Sequence, residues 1–107
     1  MSYPRVVVTG LGAITPVGNN VNDLWSSLTQ GKSGVGNITA FDPRQFDARI
    51  AAEVKNYDPK ESIPHKESRR MERFAQFAVT AAKEAIADSG LDMTKEDPYE
   101  GGVLVGS

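Results

Sequence analysis

Four cations stand out by spacing. Lys66, Arg69, Arg70 and Arg73 fall at i, i+3, i+4 and i+7, which on a helix places them on one face. Such a face suits an anionic partner: an acidic protein, a phosphate or a nucleic acid. The helix would begin near His65, so the cations would crowd its N-terminal end, where they oppose the macrodipole. That local conflict points toward a partner. Against it stands a simpler reading, a solvated face with Glu67 and Glu72 pairing locally, and periodicity alone favours the solvated face.

Other motifs carry less. Gly10-Leu11-Gly12 follows an apolar run and suggests a dinucleotide loop, but that fingerprint needs a third glycine where Thr15 stands, and Pro16 and Gly18 delay the following helix. A tight turn in which the chain passes close to another backbone explains these glycines better. Gly31-Lys32-Ser33 resembles the end of a phosphate loop, yet Ser26 replaces its first glycine and a helix precedes it where the motif demands a strand. Gly31 reads as a helix stop. Thr9, Thr15 and Ser33 have no base beside them in sequence, and the lone His65 is given no role. There is no cysteine and one histidine. These residues therefore offer no disulfide, thiolate nucleophile, Cys/His zinc site or histidine pair.

The elements that would position these groups follow from pattern. Arg5 to Thr9 is a continuous β-branched run, as in a strand covered on both faces. Asn20 is an N-cap, with Asp23 three residues on. Val21, Leu24, Trp25 and Leu28 then form one apolar stripe, for which a core role suffices for Trp25. Residues 32–48 are irregular, and a short strand is expected within Ile50 to Val54. Met71, Phe74, Ala75, Ala78, Ala82, Ala85 and Ile86 keep helical spacing from near His65 until Ser89-Gly90. This stripe is alanine-rich and suited to close packing. Residues 88–100 hold five acids and one lysine, a solvated loop. A last strand is expected over Gly102 to Gly106. The alternation of strand and helix predicts an α/β architecture.

The 107 residues carry 12 Lys+Arg against 14 Asp+Glu, with 39% hydrophobic and 24% charged residues. That balance excludes collagen-like, disordered and disulfide-scaffold classes, and it gives no global basic charge for nucleic acid. No segment approaches the roughly 20 apolar residues of a membrane span. A cytoplasmic location is expected. The apolar run at Gly101 to Ser107 is an unusual place for a domain to stop, so the chain reads as the front piece of a larger protein. With an apolar strand left unpaired, the isolated chain is expected to fold poorly and aggregate.

Read together, four segments resemble one family. Val6-Val7-Val8-Thr9-Gly10-Leu11-Gly12-Ala13-Ile14-Thr15-Pro16-Val17-Gly18-Asn19 is similar to the opening of the β-ketoacyl-acyl-carrier-protein synthases, most closely the type II condensing enzymes of bacterial fatty acid synthesis. Leu24-Trp25 through Gly31-Lys32-Ser33-Gly34-Val35 to Phe41-Asp42 fits the same family. So does Lys66-Glu67-Ser68-Arg69-Arg70-Met71 with the alanine-rich helix and Asp88-Ser89-Gly90-Leu91. Gly102 to Ser107 resembles the strand before that family's glycine-rich turn.

The resemblance implies a thiolase-like α/β fold, with residues 1–107 an incomplete N-terminal portion of the αβαβα sandwich. It implies a decarboxylating Claisen condensation of an acyl thioester with malonyl-acyl carrier protein, in an enzyme that is usually a homodimer. It implies no cofactor and no metal. The family's catalytic cysteine and two histidines match nothing in these residues, so no catalytic residue is carried over. The family's basic patch for the acidic acyl carrier protein does match, at Lys66, Arg69 and Arg70, and this turns the basic face toward a partner role. Arg73 has no such match. The alternatives from the residues themselves remain a stand-alone α/β interaction module holding an acidic partner, and, more weakly, a nucleotide-binding enzyme using Gly10 and Gly12.

Overall fold

The computed structural model describes residues 2–106. Helix α1 spans Val21–Thr29 and starts as its sequence dictates. The Asn20 side chain accepts the Asp23 N–H at 2.8 Å and donates back to the Asp23 carboxylate at 3.0 Å, a reciprocal cap. Past its end, Gly31 takes φ +67°, where other residues are strained.

Two short strands follow, β1 (Val35–Asn37) and β2 (Ile50–Ala52). They pair antiparallel with Val35 opposite Ala52 and Asn37 opposite Ile50. The expected strand near Ile50 is thus present, while β1 falls in a stretch read as irregular. The connection is fastened by Glu53, whose carboxylate accepts the Thr39 and Ala40 amides at 3.1 Å and the Thr39 hydroxyl at 2.8 Å. These bonds, the Thr39 hydroxyl's first, hold the Glu53 carboxyl below its ordinary range.

Helix α2 (His65–Ser68) and helix α3 (Arg73–Ser89) are separate. The single helix expected from near His65 is broken over residues 69–72, where Glu72 is extended at ψ 162°. Alanine content drives α3, and Gly90 closes it at φ +69°.

The expected strands at Arg5 to Thr9 and Gly102 to Gly106 do not form ladders among the described residues. A strand is a property of a pair, and nothing in residues 2–106 pairs with either run. Val6 is 91% and Leu104 99% exposed. The same reason corrects the helix stripes: Trp25, Leu28, Phe74 and Ile86 are exposed, with no apolar surface in the described residues to cover them. Ile63, 2% exposed, is the one large side chain fully enclosed among the described residues.

The surface arithmetic agrees. The accessible area is 9068 Å², more than half again the roughly 5,800 Å² of a compact chain of this mass. The radius of gyration is 17.4 Å, against about 13 Å for a compact fold of this length.

Candidate functional site

The basic residues sit on a corner, not on one helical face. Lys66 lies in α2, Arg69 is its C-terminal cap, Arg70 lies in the turn, and Arg73 opens α3. The i, i+3, i+4, i+7 spacing does not put them on one face because the helix is interrupted between α2 and α3. The macrodipole conflict eases for Arg69 and Arg70, which follow the C-terminus of α2, but remains for Arg73 at the first position of α3.

Lys66, Arg69 and Arg70 are exposed. Their side chains make no hydrogen bond or ion pair with the described residues, and the expected local pairing with Glu67 and Glu72 is absent there. Arg73 is different. Its guanidinium lies 5.0 Å from the Phe77 ring centroid and 5.7 Å from that of Tyr57, and it reaches the Val54 carbonyl at 3.4 Å. Three cations are therefore free and the fourth is engaged in packing.

The corner is fastened to α3 by side chains that no sequence motif marks. The Gln76 carboxamide donates to the Ser68 carbonyl at 2.9 Å and the Met71 carbonyl at 3.4 Å. The Tyr57 hydroxyl shares hydrogen bonds with the Gln76 carbonyl at 3.1 Å and the Thr80 hydroxyl at 2.7 Å. Lys83 donates to the Ser62 carbonyl. A glutamine inside an apolar stripe, between Ala75 and Phe77, was the signal that could have exposed the first of these.

The glycine loop is the second assembled feature. Gly10 and Gly12 press on α3: a Cβ on Gly10 would fall 2.1 Å from the Ala85 carbonyl oxygen, and one on Gly12 1.8 Å from that of Ala81. Two carboxylates one turn apart on α3 hold the loop in place. Asp88 accepts the Leu11 amide at 3.0 Å, and Glu84 accepts those of Ala13 at 2.9 Å and Val21 at 2.8 Å. The helix backbone occupies the space a pyrophosphate would need, so the close-approach reading of these glycines holds and the dinucleotide reading does not.

Nucleophilic chemistry is not assembled here. Thr15 donates its hydroxyl proton to the Gly18 carbonyl, and the Ser33 hydroxyl accepts the Val35 amide. His65 is exposed at the start of α2. A polar cleft of about 660 Å³ beside α1 is lined by residues including Asn19, Asp23, Lys32 and Lys55. The Lys55 ammonium is already engaged, donating to the Gly34 carbonyl at 2.8 Å, to Glu53 at 3.0 Å and to Pro16 at 3.4 Å. Among the described residues no group of three potential metal ligands occurs, and no helix is long and apolar enough to cross a membrane.

Helices carrying a glycine-tight loop beside a short ribbon form part of the thiolase-like α/β class. The solved ishigamide ketosynthase/chain length factor superposes with a TM-score of 0.74 at 38% identity, covering 82% of this chain and 22% of that one. A second structure, a type II polyketide synthase acyl-carrier protein in complex with its ketosynthase bound to the hexaketide, gives a TM-score of 0.63 at 27% identity, covering 86% of this chain and 22% of that one.

The chain belongs to the β-ketoacyl synthases: the family model described as the β-ketoacyl synthase N-terminal domain matches residues 4–107. It is 47% identical over 103 residues to the 3-oxoacyl-[acyl-carrier-protein] synthase 2 of Synechocystis sp., covering 96% of this chain and 25% of the relative. It is 45% identical over 107 residues to that of Coxiella burnetii, covering 100% of this chain and 26% of the relative. The chain thus spans about a quarter of the length of these curated relatives. A family match running through almost the whole chain does not favour a stand-alone interaction module.

Proposed function

We propose that this chain is the N-terminal portion of a 3-oxoacyl-[acyl-carrier-protein] synthase of the type II fatty acid pathway, incomplete as a domain, and that it supplies scaffold and carrier-protein docking. The intact enzyme condenses an acyl thioester with malonyl-acyl carrier protein and releases CO2. The attacking thiolate and the histidine donors of that reaction come from residues outside this chain, which has no cysteine and only the exposed His65. The intact protein is a homodimer and works in the cytoplasm.

Lys66, Arg69 and Arg70 receive the acidic carrier protein. The observation that carries this assignment is that all three are exposed on one corner and unengaged by the described residues, while Arg73 beside them is occupied. A second support is that the neighbour with TM-score 0.63 is a ketosynthase in complex with its acyl-carrier protein. Exposed charges of this kind act mainly on encounter rate and specificity.

The test is Lys66→Glu with Arg70→Glu in the intact enzyme. Carrier binding should weaken by about tenfold at low salt, and its salt dependence should flatten. Turnover of a small pantetheine thioester, which needs no docking, should be unchanged. Unaltered affinity and salt dependence remove the docking assignment.

A further inference from the structure

Two of the three free cations, Arg69 and Arg70, are borne on a turn outside regular helix, and Lys66 lies in the short α2 before it. Arg69 and Arg70 lie between the Ser68 and Met71 carbonyls, beyond the four-residue α2. A helix end of this kind leaves carbonyls in want of donors. Backbone amides supply some: Arg69 donates to His65, Arg70 to Glu67 and Met71 to Ser68, at 3.0 to 3.2 Å. A further donor comes from the next helix. The single NH2 group of Gln76, projecting from α3, spans the two carbonyls that bracket the arginines.

The clamp is itself anchored. The Gln76 amide donates to Glu72 at 3.0 Å, and the Gln76 carbonyl accepts the Tyr57 hydroxyl. Ser68 is 3% exposed, so its carbonyl lies where water competes poorly for the glutamine's protons. Ile63, also buried, packs the segment leading into α2. The corner is thus tied at its base while its three cationic tips stay in solvent.

We infer that Gln76 is a positioning residue for carrier docking: its carboxamide fixes the Ser68–Met71 turn and so presents Arg69 and Arg70 in a set geometry. This rests on the docking role proposed for that corner. Gln76 touches no partner itself. It lowers the ordering that binding would otherwise demand of the turn.

The two roles leave different kinetic marks. Steering depends on the charges, which a Gln76 substitution leaves in place, so the association rate should not change. Holding the bound geometry depends on the turn, so dissociation should quicken. The experiment measures both rates for acyl carrier protein on the intact enzyme by stopped flow, for the parent, Gln76→Met and the Lys66→Glu/Arg70→Glu pair. Gln76→Met keeps chain length and helix propensity and removes the donor. Its dissociation rate should rise about fivefold, the equivalent of one net hydrogen bond, with association and salt slope within a factor of two. The charge-reversal pair should instead lower association and flatten the salt slope.

If charge reversal acts and Gln76→Met leaves dissociation unchanged, the clamp is refuted and the docking corner stands. If charge reversal changes neither rate, the docking reading falls and the clamp with it. Should Gln76→Met not fold, Gln76→Asn, which withdraws the same donor by one methylene, carries the same expectation and the same refutation.

Discussion

Replacing Gly12 by alanine probes the tightest contact in the structure. The new methyl would sit 1.8 Å from the Ala81 carbonyl oxygen, 2.8 Å from the Ala81 carbonyl carbon and 2.9 Å from the Ala85 nitrogen. All three are helix backbone, which cannot rotate aside as a side chain does. An ordinary carbon–oxygen contact is near 3.3 Å, so loop and helix must part by roughly 1.5 Å. The same movement stretches the Ala13 amide bond to Glu84 and the Leu11 amide bond to Asp88, now 2.9 and 3.0 Å. Overpacking alone costs about 1–3 kcal/mol, and each carboxylate bond adds about 1.5 kcal/mol if lost. We expect a total of about 5 kcal/mol if both bonds are lost, a large fraction of the stability of an ordinary domain. Urea unfolding of the intact enzyme reads this as a lowered midpoint at unchanged slope. Gly36→Ala is the control, because nothing lies within 4 Å of its added methyl, and it should stay within about 0.5 kcal/mol. A Gly12→Ala protein within about 1 kcal/mol of the parent would show that the seam is not tight and that these glycines serve another end.

Other expectations follow from the same contacts. Glu84→Gln leaves one of two amides, Ala13 or Val21, facing an NH2 group instead of an oxygen, and should lower stability by about 2 kcal/mol in the same unfolding assay. Gly90→Ala puts a side chain at φ +69° and should cost about 1 kcal/mol with no effect on carrier affinity. Because hydrogen bonds depress the folded Glu53 carboxyl, its contribution is present above the ordinary glutamate range and fades as pH falls through the lowered folded value. The Thr39 amide resonance should therefore titrate below that range, and Glu53→Gln should abolish the titration. Purified alone, residues 1–107 should bind a hydrophobic dye, scatter as an expanded particle and lack a sharp melting transition; a soluble monomer with a cooperative melt would contradict this.

What the sequence disclosed was local or familial. The Asn20 cap, the stop at Gly31, the strand near Ile50 and the αL end at Gly90 depend on a few adjacent residues, and each is where the pattern put it. The glycine pair is legible as a close backbone approach, but the helix face it meets, Ala81, Glu84, Ala85 and Asp88, shares only Ala85 with the expected alanine stripe, and Ala82 of that stripe is exposed. The family was legible because a series of weak motifs kept its order, and the match over residues 4–107 bears it out. Three things stayed hidden. The break between α2 and α3 carries no proline or glycine, only a distant glutamine that satisfies the broken end. The runs at Arg5 to Thr9 and Gly102 to Gly106 have strand composition, but ladders need partners that residues 2–106 do not offer. Glu84 and Asp88 look like ordinary solvated acids until the loop they hold is folded beside them.

The uncovered area also bears on protein engineering. A chimera that exchanges residues 1–107 between two synthases carries the exposed apolar side chains into new surroundings. This chain is 41–47% identical to such relatives, so more than half of the exchanged positions would differ. On the docking role proposed above, a graft intended to change carrier preference should move the α2–α3 corner alone and leave the exposed Trp25, Phe74 and Ile86 in their own surroundings.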